Sequence, residues 1–213
     1  MLPSQQKNQD INKLLAEYLP LSALTEVCEM ISSHGVHIKI TKSRKRIHGS
    51  YYRPVKNHPH RITINHDLNP YAFLITLLHE FAHLYAWEYN RCLKHGKPWK
   101  QHFSNLLIKF IGDNVFPEDI QVALLTHLKH IKSSDFLDIP LSRVLQAYDK
   151  ESICENGEVL LSDIPMQTTF IHDGRTFIKQ KLLRKYYLCK ELKTNKMYKY
   201  HPLAKVIPSR EEN

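Results

Sequence analysis

The spacing of apolar residues predicts a mixed helix and strand region in the first third of the chain. Apolar residues recur at helical spacing over residues 10–33, and a break near Pro20 predicts two helices there. Apolar and polar residues then alternate over residues 36–41, which predicts a half-buried strand. We expect a second strand and a loop within residues 42–59, and a third strand at residues 61–66.

The longest apolar segment predicts a central helix from about Tyr71 to Arg91. Asn69-Pro70 precedes it, and these residue types are preferred at a helix cap and in the first helical turn. Because apolar residues cover most of the surface of this helix, we expect it to lie in the core. Further helices are predicted at residues 98–111, 117–133 and 141–150.

The pattern changes near Glu151, after which short β-prone runs predominate. Asp173-Gly174 lies between two of these runs and predicts a tight hairpin turn. The predicted strands are residues 168–172, 175–180, 185–190 and 197–200. We therefore predict an α+β fold class with two domains, residues 1–150 and a small basic β-unit at residues 151–213.

Charge is distributed unevenly along the chain, which has a net charge of +9. Residues 39–61 contain eight basic residues and no acid, and residues 175–205 contain ten basic residues and one acid. Such segments favour polyanionic partners such as DNA, although a solvated basic face would have the same composition. The candidate nucleic-acid contacts are Lys42, Arg44, Lys45, Arg46, Arg184 and Lys185.

Composition narrows the class of protein further. The hydrophobic share of 42% is that of a globular protein and argues against a wholly disordered chain. No apolar run approaches the roughly 20 residues that a membrane span requires, and the first residues do not form a signal peptide. We therefore expect a cytoplasmic protein without a membrane partner, in which the four cysteines are thiols.

The central helix contains His79-Glu80-Phe81-Ala82-His83, a His-Glu-x-x-His motif. Residues four apart lie on one face of a helix, so both imidazoles can bind the same metal ion. Zinc accepts imidazole nitrogen readily, and three protein ligands leave a fourth position for water. Glu80 lies beside that face, where its carboxylate can take a proton from the water.

A third metal ligand is required, and three residues after the motif are candidates. His95 lies in a loop before the next predicted helix, and a loop can fold back onto the first helix. Gly96 permits a tight backbone at this point, so the sequence favours His95. Glu88 and His102 are the alternatives, since Glu88 lies on another helical face and His102 lies inside the next helix.

The motif and the following His95-Gly96-Lys97-Pro98-Trp99 resemble the SprT-like zinc metallopeptidase family, which includes the DNA–protein crosslink protease Spartan. The upstream segment around Gly49 and the strand before the helix are also similar to that family. The resemblance implies a zincin-like domain in which the second motif supplies the third zinc ligand, here His95. It also implies protein substrates, with DNA-associated proteins as one candidate class.

The C-terminal part departs from many SprT-like proteins, which end in a cysteine-rich zinc ribbon. Only Cys154 and Cys189 occur there, and four thiolates cannot be assembled from two. We therefore predict one zinc ion per chain and a degenerate, zinc-ribbon-like unit. A second zinc bound by Cys189 with His172 or His201 is the less favoured alternative. The predicted apolar core consists of Phe170, Phe177, Tyr187 and Val206.

The first functional hypothesis is therefore a zinc-dependent endopeptidase in which Glu80 and the metal activate water. The second is a nucleic-acid-binding protein whose zinc site is structural or catalytically idle, which the basic segments favour. The third is a zinc hydrolase that acts on a non-peptide bond, because the motif alone does not specify the substrate.

Overall fold

The fold is described from a computed structural model, in which residues 11–44, 47–129, 131, 138–149 and 157–209 are described. The chain divides into two compact units, residues 1–133 and 134–213. Every helix in the described ranges is too short or too polar to cross a membrane.

This division differs from the predicted boundary between residues 150 and 151. The composition changes near Glu151, but the preceding helix belongs to the second unit. Arg143 on that helix donates hydrogen bonds to Ser162 and Asp163, which explains why the helix groups with the sheet that follows it.

The first unit contains helices and a small sheet, at positions close to those predicted. A helical segment at residues 11–15 precedes Pro20, as expected. The later elements are α1 (Leu21–Ser33), β1 (His37–Thr41), β2 (Gly49–Tyr52), β3 (Arg61–Asn65), α2 (Pro70–Asn90), α3 (Lys97–Gly112) and α4 (Glu118–Lys129). The helix predicted to end at Ser133 ends at Lys129 in the described residues; Ile131 is not helical, and residues 130, 132 and 133 fall outside the described ranges.

The sheet of the first unit has β3 at its centre. Strand β3 is parallel to β1 and antiparallel to β2. Ile62 and Ile64 of β3 are fully buried, and α2 packs against both β2 and β3. The small sheet and the helix α3 therefore enclose α2, the element that carries the His-Glu-x-x-His motif.

Local sequence explains the bounds of α2. The Asn69 side chain accepts a hydrogen bond of 2.9 Å from the backbone N–H of Ala72, and Pro70 occupies the first helical position. The helix ends at Asn90, and the following Arg91 has a left-handed backbone with φ of 52°. Eleven of its side chains are buried, in agreement with the predicted core position.

The second unit combines one helix with a six-stranded sheet. Its elements are α5 (Ile139–Gln146), β4 (Val159–Leu160), a 3₁₀ turn (Leu161–Asp163), β5 (Thr169–His172), β6 (Arg175–Leu182), β7 (Tyr187–Glu191), β8 (Met197–Tyr200) and β9 (Lys205–Pro208). The strand order is β4-β9-β5-β6-β7-β8. The predicted hairpin is confirmed, since His172 pairs with Arg175 and the two turn residues both have positive φ.

One face of this sheet carries an apolar core with a buried lysine. Phe170, Phe177 and Val206 are buried as predicted, and Tyr187 packs against them while partly exposed. Lys179 is only 2% exposed. Its ammonium group donates hydrogen bonds of 2.7 and 2.6 Å to the carbonyls of Leu161 and Ile164, and it lies 3.9 Å from the centre of the Tyr187 ring.

Cys189 is fully buried in the same core, beside Lys179 on the neighbouring strand. Burial raises the pKa of its thiol to about 11. His172, one of its two possible zinc partners, lies within hydrogen-bonding distance of the Lys205 carbonyl, with Nδ1 3.0 Å from that oxygen. Cys154 lies outside the described residues.

Candidate metal centre

Two consecutive helices bring three histidines together. His79 and His83 project from α2 one turn apart, and the short loop before α3 returns the chain so that His95 meets them. The Nε2 atom of His95 lies 3.0 Å from Nε2 of His79 and 3.0 Å from Nε2 of His83. Among the described residues, this is the cluster of histidine, cysteine and acidic side chains that can hold a metal ion.

Aromatic packing and backbone hydrogen bonds orient the imidazole rings. Trp99 is fully buried, and its ring centre lies 4.6 Å from that of His79 and 4.4 Å from that of His95. The Trp99 indole donates a hydrogen bond of 3.3 Å to the backbone carbonyl of His79. His83 hydrogen-bonds to the backbone of Leu93. Contacts of this kind commonly fix the ring orientation of metal-binding histidines.

The protonation state of His83 suits a metal ligand. Burial, followed by the neighbouring His79 and His95, lowers the pKa of His83 to about 3. The imidazole is therefore neutral at physiological pH and offers a lone pair. Three converging imidazoles, all at least partly buried, match a donor set that zinc accepts.

Glu80 directly follows the first histidine and faces strand β2. Its side chain is buried, with 6% exposure. A Cβ atom at Gly49 would lie only 2.7 Å from Glu80 Oε1 and 2.8 Å from Thr76 Cγ2. Glycine at position 49 therefore allows β2 to approach the motif helix with the Glu80 carboxylate directly beside the strand. The strand at this segment was predicted from the sequence, whereas the close contact between Gly49 and Glu80 was not.

The two alternative third ligands lie elsewhere. Nε2 of His102 is 3.0 Å from Oδ1 of Asn90, within hydrogen-bonding distance. Glu88 bridges two histidines outside the cluster, with 2.9 Å between Oε2 and Nδ1 of His34 and 3.3 Å between Oε1 and Nε2 of His60. Of the three candidates, His95 is the one placed beside His79 and His83.

The Glu88 network reaches Tyr51, a residue near the metal centre that was not predicted as part of the site. The Tyr51 hydroxyl lies 2.8 Å from Nδ1 of His60. Its ring is parallel to that of His83, with an interplanar angle of 2° and 6.5 Å between ring centres. Burial, with the nearby Glu88 as the second cause, raises the pKa of Tyr51, so its phenol stays protonated. These partners come from separate elements, so no local pattern signals them.

The candidate nucleic-acid contacts differ in their surroundings. Lys42, Arg184 and Lys185 are exposed. Arg44 is partly buried and donates hydrogen bonds of 2.7 Å to Asn65 Oδ1, 3.1 Å to Thr63 Oγ1 and 3.2 Å to the His48 carbonyl. Its guanidinium therefore holds the chain before β2 against β3. Lys45 and Arg46 lie outside the described residues.

Comparison with known proteins gives one match. Residues 16–116 match the sequence model of the SprT-like family. This segment includes β1 to β3, the motif helix and the whole histidine cluster. Searches among curated proteins and among solved structures gave no significant match.

Proposed function

Residues 16–116 belong to the SprT-like family, and from this premise we propose that the chain is a zinc-dependent endopeptidase. The observation that carries the proposal is the convergence of three imidazole Nε2 atoms beside a buried glutamate on the same helix. His79, His83 and His95 would hold one zinc ion per chain.

Bound zinc would supply a water molecule of lowered pKa and polarise the scissile carbonyl group. Glu80 is the general base that accepts a proton from the attacking water at its carboxylate and donates it to the leaving amine. Gly49 keeps the carboxylate in place, because the absence of a Cβ leaves the space that Glu80 occupies. Trp99 and the Leu93 backbone keep the imidazoles oriented.

Two variants separate binding from catalysis. Glu80→Gln should abolish hydrolysis of an unfolded protein such as fluorescently labelled casein, while elemental analysis still finds about one zinc per chain. His95→Ala should lose both zinc and hydrolysis, whereas the matched variant His102→Ala should keep both. Hydrolysis by the Glu80→Gln protein, or zinc loss in His102→Ala alone, would contradict the assignment.

DNA association is the second part of the proposal, and the exposed basic residues of the second unit favour it. Residues 175–205 carry ten basic residues and one acid, and of the ten only Lys179 is buried. Deletion of this segment would remove three strands of the sheet, so substitution is the cleaner test. Lys181, Arg184 and Lys185, all exposed, replaced together by Gln, should weaken DNA binding and lower the salt slope by about 3.

The hydrolysis, zinc and DNA-binding measurements together also test the alternative function, a nucleic-acid-binding protein with a catalytically idle zinc site. That alternative would be supported if zinc and DNA bind but no labelled protein is hydrolysed in the presence or absence of DNA. An unchanged salt slope in the triple variant would instead remove the second unit from the DNA-binding proposal.

A further inference from the structure

A groove of about 700 Å³ adjoins the metal centre and carries a concentration of lysines. It lies between the first turns of α3 and the end of α4, and the third histidine of the cluster is part of its wall. We call it the lysine groove, and its polar wall consists of His95, Lys97, Lys100, Gln101, Ser104 and Lys129.

The charge of this groove is uncompensated within the described part of the chain. Lys97, Lys100 and Lys129 are exposed, and among described residues none of them forms an ion pair. Lys109 on the same helix differs, because its ammonium lies 2.6 Å from the Glu26 carboxylate. No side chain caps the amino terminus of α3, where the helix dipole adds to the positive potential. The groove therefore favours an anionic group.

The position of the groove indicates which anion it receives. His95 belongs both to the groove wall and to the imidazole cluster. A polypeptide whose scissile carbonyl reaches that cluster can therefore continue past His95 into the groove. An extended chain advances about 3.3 Å per residue, so a chain that takes this path enters the groove within a few residues of the scissile bond.

We propose that the lysine groove is a subsite for an acidic side chain of the protein substrate, close to the scissile bond. This inference rests on the proposed endopeptidase function and specifies the substrate class of the same site. A carboxylate in the groove would be attracted by the three ammonium groups and would orient the chain across the metal centre. The enzyme would then cleave preferentially next to aspartate or glutamate.

The test measures peptide binding in the zinc-loaded full chain carrying Glu80→Gln. Three fluorescent peptides of equal length carry Glu, Gln or Lys at the positions flanking a central apolar residue. A groove variant combines Lys97→Gln, Lys100→Gln and Lys129→Gln. A matched control removes the same charge from exposed lysines elsewhere, with Lys13→Gln, Lys39→Gln and Lys56→Gln.

The parent and the control should bind the Glu peptide about tenfold more tightly than the Gln peptide, as expected for several weak exposed ion pairs. The groove variant should bind the two peptides equally while it retains one zinc per chain. Cleavage of the same peptides by the zinc-loaded wild-type protein should show the same order of preference.

Equal loss of selectivity in both triple variants would assign it to overall charge and overturn the proposal. Undiminished selectivity in the groove variant would also overturn it. A single-stranded oligonucleotide provides one further outcome. If it displaces the Glu peptide from the parent and does not bind the groove variant, the groove is a nucleic-acid site and the proposal is overturned. Retained selectivity without any cleavage would contradict the endopeptidase function alone, and cleavage without selectivity would contradict the subsite alone.

Discussion

Replacement of Gly49 by alanine should disturb Glu80 without removing the metal ligands. The new Cβ would lie 2.7 Å from Glu80 Oε1 and 2.8 Å from Thr76 Cγ2, whereas nonbonded carbon atoms normally approach to about 3.5–4.0 Å. Rotation of the Thr76 side chain would break a hydrogen bond, because its hydroxyl donates to the Ala72 carbonyl at 2.8 Å. Either β2 moves away from α2, or the Glu80 carboxylate leaves its position.

The expected magnitude follows from two opposing contributions. Overpacking of a buried contact costs about 1–3 kcal/mol, and the lower entropy of the unfolded alanine chain returns about 0.4–1 kcal/mol. The net loss of about 1–2 kcal/mol corresponds to a melting temperature lowered by about 5–10 °C. Because displacement of a catalytic group by about 1 Å can cost about 100-fold in rate, kcat should fall by about that factor.

Tryptophan fluorescence measures the melting temperature, since Trp87 and Trp99 both lie in the first unit. Labelled casein measures hydrolysis, and elemental analysis measures zinc, which should stay at one per chain. Gly112→Ala is the matched control, because a Cβ there has nothing within 4 Å and alanine suits a helix. Unchanged melting temperature and hydrolysis in Gly49→Ala would refute the close approach, and loss of zinc would show that the ligands are displaced instead.

Three further predictions concern buried polar groups. Lys179→Met should lower the free energy of unfolding of the second unit by about 2–4 kcal/mol in urea titrations, because two buried carbonyls lose their hydrogen-bond donor. Substitution of the exposed Lys181 by Met should change this free energy little. Between pH 9 and 11 the folded unit keeps the Cys189 proton that the unfolded chain releases, so the free energy of unfolding of the second unit should fall by about 2–3 kcal/mol. Methionine-methyl NMR would detect this fall. An equal fall in the Cys189→Ala variant would show that it does not come from the Cys189 thiol. Burial lowers the pKa of His60 and Glu88 opposes that shift, so Glu88→Gln should lower this pKa further in NMR titrations, and a rise would contradict the bridge.

Local sequence determined the elements that could be predicted. The central helix has an asparagine cap, a proline in its first turn and a long apolar run, and each of these acts within a few residues. The two-residue hairpin at Asp173 was predictable for the same reason. In contrast, β4 has only two residues, too few for an alternating pattern, and β9 is stabilised by its pairing with β4 and β5 across the sheet.

The candidate site was predictable where it depends on helical spacing, and less so where distant elements meet. The His79 and His83 pair follows from one turn of helix, and the loop position favoured His95. The partners of Glu88 come from the end of α1 and the start of β3, at positions without any periodic relation to it. The tertiary packing of these elements, which places His34 and His60 beside Glu88, cannot be read from spacing.

Strand β2 links the proposed base to one of the proposed ligands. Alternate residues of a strand share a face, so Gly49 and Tyr51 both face α2, where Gly49 adjoins Glu80 and Tyr51 lies parallel to His83. The four-residue strand is held in this register by its pairing with β3. A slip of one residue would turn Ser50 toward the helix. The Ser50 side chain would then occupy the space of the Glu80 carboxylate. The geometry of the site therefore depends on the backbone pairing of β2 as well as on the side chains proposed to bind metal.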